Sequence, residues 1–470
     1  MNRRMPIVAL CAAVLAAACS DAPQSTAPAA LSPAQRASAS LAPGAENFVS
    51  IGTSISMGWS SNGVYVGSQV TAWPALMRFG TSGRMSLPLI QSPGCTSPLV
   101  APLGSNERLS GEPFSGSVVC APNIPSVELP THNVATAGAI AAYALQETPE
   151  LAGTTYPWYS RVLPPGMTQV TAALSQNPTL VSVELGGNDV LLATSGVIAF
   201  GVNVVPVQYF ETAFDLVLDA VGSAAPKALV FGMPLHGENL PALRRGDEIW
   251  ADASEFAALN VDVSPDCAGN ANYINVSVKS IIMAFTAAYT STHGLPNPVY
   301  SCADNPNATV QNPDFVLTPA DIALLNAMLA QMAAHAEQQA SARGYALASL
   351  GALYDRPDLK PPVYSVITQL TSASPYGSYI SLDGVHPNAL GHRVLAQAAT
   401  KAINETYPDA LAHAVASPAA PSLAEQLVEP APSFIALQMA KRIAVQRQRD
   451  KLPACLTPGN CTLGAVPRLR

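Results

Sequence analysis

Asp383 and His386 stand three positions apart in Ser381-Leu382-Asp383-Gly384-Val385-His386-Pro387-Asn388-Ala389-Leu390-Gly391-His392, with glycine between them and proline behind. A loop of that composition can set the carboxylate against one imidazole nitrogen and leave the other nitrogen free to face a nucleophile. A serine hydroxyl needs such a base with an orienter behind it, because unassisted serine is a poor nucleophile near neutral pH. A solitary Asp-x-x-His is more often a plain turn ending in a helix cap, so the chemistry depends on what else the chain supplies.

The serine comes from Asn47-Phe48-Val49-Ser50-Ile51-Gly52-Thr53-Ser54-Ile55-Ser56-Met57-Gly58-Trp59. Phe48, Val49 and Ile51 form a short apolar run that Gly52 stops, which predicts a buried strand feeding a tight turn with Ser54 just beyond it. Ser54 as an ordinary helix N-cap is the alternative, and Ser56 reads as a helix-start residue. Leu180-Val181-Ser182-Val183-Glu184-Leu185 is a second strand, ending in Gly186-Gly187-Asn188-Asp189. Glycines there let the backbone approach another group, and Asn188 can present an amide donor while Asp189 braces its turn. Ala228–Gly232 and Tyr345–Ala348 read as further strands. Gly67–Phe79 and Pro319–Ala342 read as helices, and an alanine-rich helical stretch follows His132-Asn133-Val134-Ala135-Thr136-Ala137-Gly138-Ala139. Alternation at this spacing predicts a three-layer α/β/α fold around a mostly parallel sheet.

Together these segments resemble the SGNH (GDSL) hydrolase family, a flavodoxin-like α/β fold, over approximately residues 46 to 405. Gly52-Thr53-Ser54-Ile55-Ser56-Met57-Gly58 resembles its nucleophile block, and Asn133 to Ala139 its glycine block. Gly186-Gly187-Asn188-Asp189 resembles its asparagine block, and Asp383-Gly384-Val385-His386-Pro387 its Asp-x-x-His block. The resemblance implies Ser54 as nucleophile, His386 as general base and then acid, and Asp383 as orienter. It also implies an oxyanion hole made by the Ser54 and Gly138 backbone N–H groups and the Asn188 amide. Thr53 departs from the family, which normally has aspartate before the serine. Ser56 occupies the place of the second glycine of a Gly-x-Ser-x-Gly elbow, which disfavours an α/β-hydrolase.

The implied activity is hydrolysis of carboxylic esters through an acyl-enzyme, with no metal or organic cofactor. Trp59, Tyr65 and nearby apolar residues lean toward acyl chains, with core packing as the alternative. A carbohydrate O-deacetylase or a lysophospholipase would use the same machinery. A catalytically silent surface lipoprotein that binds a glycan or lipid is the reading from another class. His132 lies beside the glycine block, whereas His236, His293, His335, His392 and His413 read as structural or surface groups.

The rest of the chain bounds the setting. Residues 1 to 18 carry Arg3 and Arg4, an apolar run too short to span a bilayer, and Ala16-Ala17-Ala18 before Cys19, the pattern of an export signal. Cys19 resembles the lipidated cysteine of a bacterial lipoprotein box, with plain secretion as the alternative. Residues 19 to 44, rich in Ala, Pro and Ser, form a tether. One domain over 45–405 is expected, elaborated by insertions near 84–130 and 234–313, with a C-terminal extension over 406–470. The apolar fraction of 49% supports a large core. A net charge of −8 argues against nucleic acid as partner. From Ala431 onward there are seven Lys or Arg against Asp450 alone, predicting a basic helix. Proximity suggests the disulfides Cys95–Cys120, Cys267–Cys302 and Cys455–Cys461, and no cysteine spacing makes a credible zinc site.

Overall fold

Four short apolar strands form the centre of the molecule: β1 (Phe48–Gly52), β2 (Leu180–Glu184), β3 (Lys227–Gly232) and β4 (Ala346–Ser349). The computed structural model describes residues 47–79, 85–114 and 120–408 and the two-residue strand 415–416, all within the unit Leu41–Arg470. The strands lie side by side in the order β1-β2-β3-β4, every pair parallel. β1 and β2 are buried along their whole length, which is why they read as near-continuous apolar runs.

Beyond the free edge of β1, residues 132–136 run parallel to it as an irregular fifth strand. The Ser50 N–H donates to the His132 carbonyl, and the Val134 and Thr136 N–H groups donate to the Ser50 and Gly52 carbonyls. β1 is thus flanked by the chain that follows it on one side and by β2 on the other. The strand order reverses at β1, and in an open parallel sheet the crevice at the carboxyl ends beside such a reversal is where ligands bind. Ser54, Gly138 and Asn188 each lie just past the carboxyl end of one of these three strands.

Helices α1 (Ser54–Met57), α2 (Gln169–Leu174), α3 (Gly187–Leu191), α4 (Val207–Gly222), α5 (Pro319–Arg343) and α6 (Ala389–Thr406) follow in sequence. α2, α4 and α5 form one packed set; α6 packs with Trp73–Leu76 and Gly351–Tyr354 as another. Both sets lie against the sheet, giving the expected three layers. α5 starts at Thr318, whose side chain caps the Asp321 N–H while the Asp321 carboxylate returns to the Thr318 N–H. It ends at Gly344 with φ +66°.

The single helix expected over Gly67–Phe79 is two one-turn helices, Val66–Gln69 and Trp73–Leu76, followed by a strand, Arg78–Phe79. Pro74 has no N–H to continue a helix and is tolerated only in a first turn, so it restarts the helix. The Trp73 N–H goes sideways to His392 Nδ1 at 3.3 Å. Arg78–Phe79 pairs antiparallel with Val415–Ala416.

The stretch near 84–130 is largely irregular and holds the disulfide Cys95–Cys120. That near 234–313 contains strands Leu243–Arg245 and Tyr273–Asn275, which form an antiparallel sheet with Val316–Leu317, and the disulfide Cys267–Cys302. The leader, Cys19, residues 19–44, Cys455, Cys461 and the basic stretch 431–470 lie outside the described residues. Cys95–Cys120 closes a loop of 25 residues on an irregular segment. Replacing both cysteines by serine is expected to cost about 3 kcal/mol of unfolding free energy, read from urea unfolding of the two chains under oxidising conditions.

Candidate active site

The Ser54 turn is made by the abrupt end of β1. Thr53 is the N-cap of α1 and keeps extended backbone, and Gly58 closes the turn at φ +88°. This leaves Ser54 in the first helical position, with its Oγ 2.9 Å from His386 Nε2. His386 Nδ1 lies 2.9 Å from Asp383 Oδ2. The structure therefore brings Ser54 together with Asp383 and His386, which lie 329 and 332 positions after it in the sequence.

Asp383 is saturated with donors. Oδ1 accepts the Val385 N–H at 2.9 Å, the His386 N–H at 2.8 Å and the Ser381 hydroxyl at 3.2 Å. Oδ2 accepts the Asn62 N–H at 2.8 Å as well as the imidazole. Burial pushes this carboxyl up, but the charge of His386 and the hydrogen bonds from His386 and Val385 outweigh it and hold the carboxyl down at about 2. An ionised Asp383 can only accept, so the proton on the neutral imidazole is assigned to Nδ1, and Nε2 is left to accept the Ser54 O–H. Gly384, at φ +77°, lets the loop turn between the two residues. A Cβ there would come within 3.0 Å of the Ala242 Cβ.

Asn62 was not singled out by sequence. It lies in the turn Ser60–Gly63, where Ser61 and Asn62 have φ of 54° and 59°. The run Ser60-Ser61-Asn62-Gly63 was the available signal, since serine, asparagine and glycine favour turns and asparagine tolerates the left-handed region. The Ser61 N–H also binds Ser381 Oγ at 2.8 Å, and the Arg108 guanidinium holds the Asn62 carbonyl from the disulfide-bearing segment.

On the other side of Ser54, Gly138 takes φ +80°, and a Cβ there would lie 3.1 Å from the Tyr156 ring. The Ala137 N–H points at Met57 Sδ (3.4 Å), the Asn188 amide donates to the Ala139 carbonyl at 2.9 Å, and Asp189 Oδ2 accepts the Ala141 N–H at 3.1 Å. Residues 137–141 are thus clamped between α1 and the turn after β2. Among the described residues, neither the Ser54 nor the Gly138 N–H donates to any group, and the Asn188 amide keeps one hydrogen uncommitted. Asp189 braces the glycine block and not the Asn188 turn itself; burial raises its carboxyl to about 7.

Ser56 is fully buried and its hydroxyl goes to Glu184. His132 binds Ser86, alongside the middle of β1 and away from its carboxyl end. His392 is buried with Nδ1 on the Trp73 N–H. The Trp59 ring lies 6.5 Å from the His386 ring and packs edge-on against Trp158, whereas the Tyr65 ring folds over Gly67. Asp266, Cys267 and Cys302 are grouped closely enough for a metal, but the two sulfurs are bonded to each other. A second residue that the sequence does not flag is Glu184, whose carboxylate accepts the Thr53 and Ser56 N–H groups on either side of Ser54. Its signal was a single charge inside an otherwise apolar strand.

The model of the GDSL-like lipase/acylhydrolase family matches residues 121–399, more than half of the chain, and the chain belongs to that family. Among solved structures, it is similar to a variant of an acetyl-xylooligosaccharide esterase from Geobacillus Stearmophilus. The identity is 12% over 76% of this chain and 94% of the other, with a TM-score of 0.30. An extracellular lipase from Streptomyces rimosus shows 13% identity over 75% of this chain and 98% of its own, also at a TM-score of 0.30. No curated protein sequence matches the chain.

Proposed function

We propose that this chain is a serine esterase or lipase that cleaves carboxylic esters through an acyl-enzyme at Ser54. The observation that carries the reading is the continuous chain Ser54 Oγ–His386–Asp383, with both links at 2.9 Å. His386 Nε2 takes the hydroxyl proton as Oγ attacks the ester carbonyl, and returns it to the leaving alkoxide. Water then repeats the sequence on the acyl-enzyme, with the same imidazole as base. The free Ser54 and Gly138 N–H groups and the uncommitted Asn188 hydrogen supply donors for the oxyanion, so no donor has to break a bond when charge develops.

The Ala139 carbonyl fixes which way the Asn188 amide points. Asn188→Ala is expected to lower kcat ~100-fold or more with little change in KM. Steady-state hydrolysis of a p-nitrophenyl ester checks it. A variant within about threefold of the parent chain would remove Asn188 from the oxyanion site. The ratio of activities on a short and a long p-nitrophenyl ester separates esterase from lipase.

The same reading includes export and anchoring. Residues 1–18 act as the signal, Cys19 as the lipidated residue, 19–44 as tether, and 45–405 as the hydrolase domain followed by the extension 406–470. Metabolic labelling with a radioactive fatty acid tests the anchor: label should enter the parent chain and be absent from Cys19→Ala. Equal labelling of both chains rejects Cys19.

A further inference from the structure

Glu184 ends β2 and is completely buried. A carboxylate in such a place is costly unless its lone pairs are met by donors. Oε2 accepts the Thr53 N–H at 3.1 Å, the Ser56 N–H at 3.2 Å, the Ser56 hydroxyl at 2.8 Å and the Thr53 hydroxyl at 2.9 Å. Oε1 lies 2.8 Å from the same Thr53 hydroxyl. The direction of the Ser56 hydroxyl is fixed from outside. Trp73 Nε1–H can only donate and points at Ser56 Oγ from 3.1 Å, so the hydroxyl's own proton goes to Glu184. Burial pushes the Glu184 carboxyl up, and the hydrogen bonds from the Thr53 and Ser56 N–H and hydroxyl groups offset that push only in part.

Thr53 and Ser56 bracket Ser54. One carboxylate therefore grips the backbone immediately before the serine and again two residues after it, while the serine's own N–H remains uncommitted. Gly52 makes room for this. A Cβ there would fall 2.5 Å from Ser56 Oγ and 3.1 Å from Glu184 Oε2, so a side chain at that position would push the turn off the carboxylate.

We propose that Glu184 is a positioning residue for the nucleophile: acting through Thr53 and Ser56, it fixes the direction in which Ser54 presents its Oγ to His386 and its N–H to the substrate oxyanion. This rests on the reading of Ser54 as nucleophile. It also gives Thr53 a function of its own, as the hydroxyl and N–H through which a carboxylate from the neighbouring strand holds the turn.

The test uses the full chain and two readouts normalised to folded protein: kcat and KM on a p-nitrophenyl ester, and the rate at which a fluorophosphonate labels Ser54. Glu184→Leu keeps the bulk but removes every acceptor from the Thr53 and Ser56 N–H groups. It is expected to lower kcat and the labelling rate together by ~100-fold, with KM within about twofold, because a displaced nucleophile loses rate more than affinity. Thr53→Val should lose ~10-fold by the same split, and Thr53→Ser, which returns the hydroxyl, should recover most of that loss. Were Glu184 only a packing group, the variants would lower the thermal midpoint and leave kcat per labelled site in place. A folded Glu184→Leu with kcat and labelling within about threefold of the parent overturns the proposal, and if that variant does not fold, Thr53→Val decides by the same limit. If the parent chain reacts with neither ester nor fluorophosphonate, the nucleophile reading has failed and the positioning role goes with it. A reactive parent with an unaffected Glu184→Leu sinks the positioning role alone.

Discussion

Ser54→Ala is expected to lose on the order of 100,000-fold or more in kcat on any ester that the parent chain hydrolyses, with KM close to unchanged. The loss has two parts. Without Oγ there is no covalent route, and His386 Nε2 is left facing a methyl group, so the base has no proton to move. What remains is the rate that the Gly138 and Ser54 N–H groups and the Asn188 amide give to direct attack by water. Since alanine keeps the backbone N–H and the turn is held through Thr53 and Ser56, substrate binding should survive. The double variant Ser54→Ala/His386→Ala should be no slower than Ser54→Ala, because the two side chains act as one unit. Steady-state kinetics with fluorophosphonate labelling as a contamination control check this. A Ser54→Ala chain retaining a tenth of the activity would point to another nucleophile. Ser56 could not take over easily, as its hydroxyl is buried between Glu184 and Trp73.

The parts of this site that could be read from sequence are those whose geometry is local. Asp383 and His386 share one loop, and the glycine and proline that shape it sit between and beside them, so the pairing was legible from a few residues. β1, β2 and β3 were legible because a parallel strand buried on both faces demands a near-continuous apolar run, whereas the edge strand β4 alternates buried and exposed residues and was marked by Gly344 before it. What escaped is held together by contacts between distant segments. Asn62 reaches Asp383 across 321 positions with a backbone N–H, a group every residue except proline carries and no motif can flag. Glu184 looked like an odd charge in a strand because its four donors come from a turn some 130 positions earlier. The helix expected over Gly67–Phe79 failed for the opposite reason: the apolar spacing was right, and one proline imposed a restart that spacing does not register. The strands of the 234–313 stretch are two or three residues long, too short for alternation to show.

Asp383→Asn is expected to lower kcat ~10,000-fold while leaving the fold and KM largely in place. In the parent chain each Asp383 oxygen accepts from at least two donors, counting the imidazole. An asparagine can keep its carbonyl on the Val385 and His386 N–H groups, but then its N–H₂ faces both the Asn62 N–H and the imidazole. The imidazole answers by moving its proton to Nε2, where it blocks the lone pair that must accept the Ser54 proton. The rate falls because the tautomer is wrong, not because a residue is missing. Acid should also act differently on the two chains. The folded Asp383 carboxyl is depressed from 3.8 to about 2, so the stability it contributes is fully present above about pH 4 and is lost as pH falls toward 2. Asparagine carries no such dependence. Urea unfolding at pH 7 and near pH 3 should therefore show the parent's advantage over Asp383→Asn shrinking in acid, and an advantage that stays constant or grows would contradict an ionised Asp383 held by these donors. In the activity profile, a carboxylate that stays ionised to about pH 2 contributes no limb of its own above that pH.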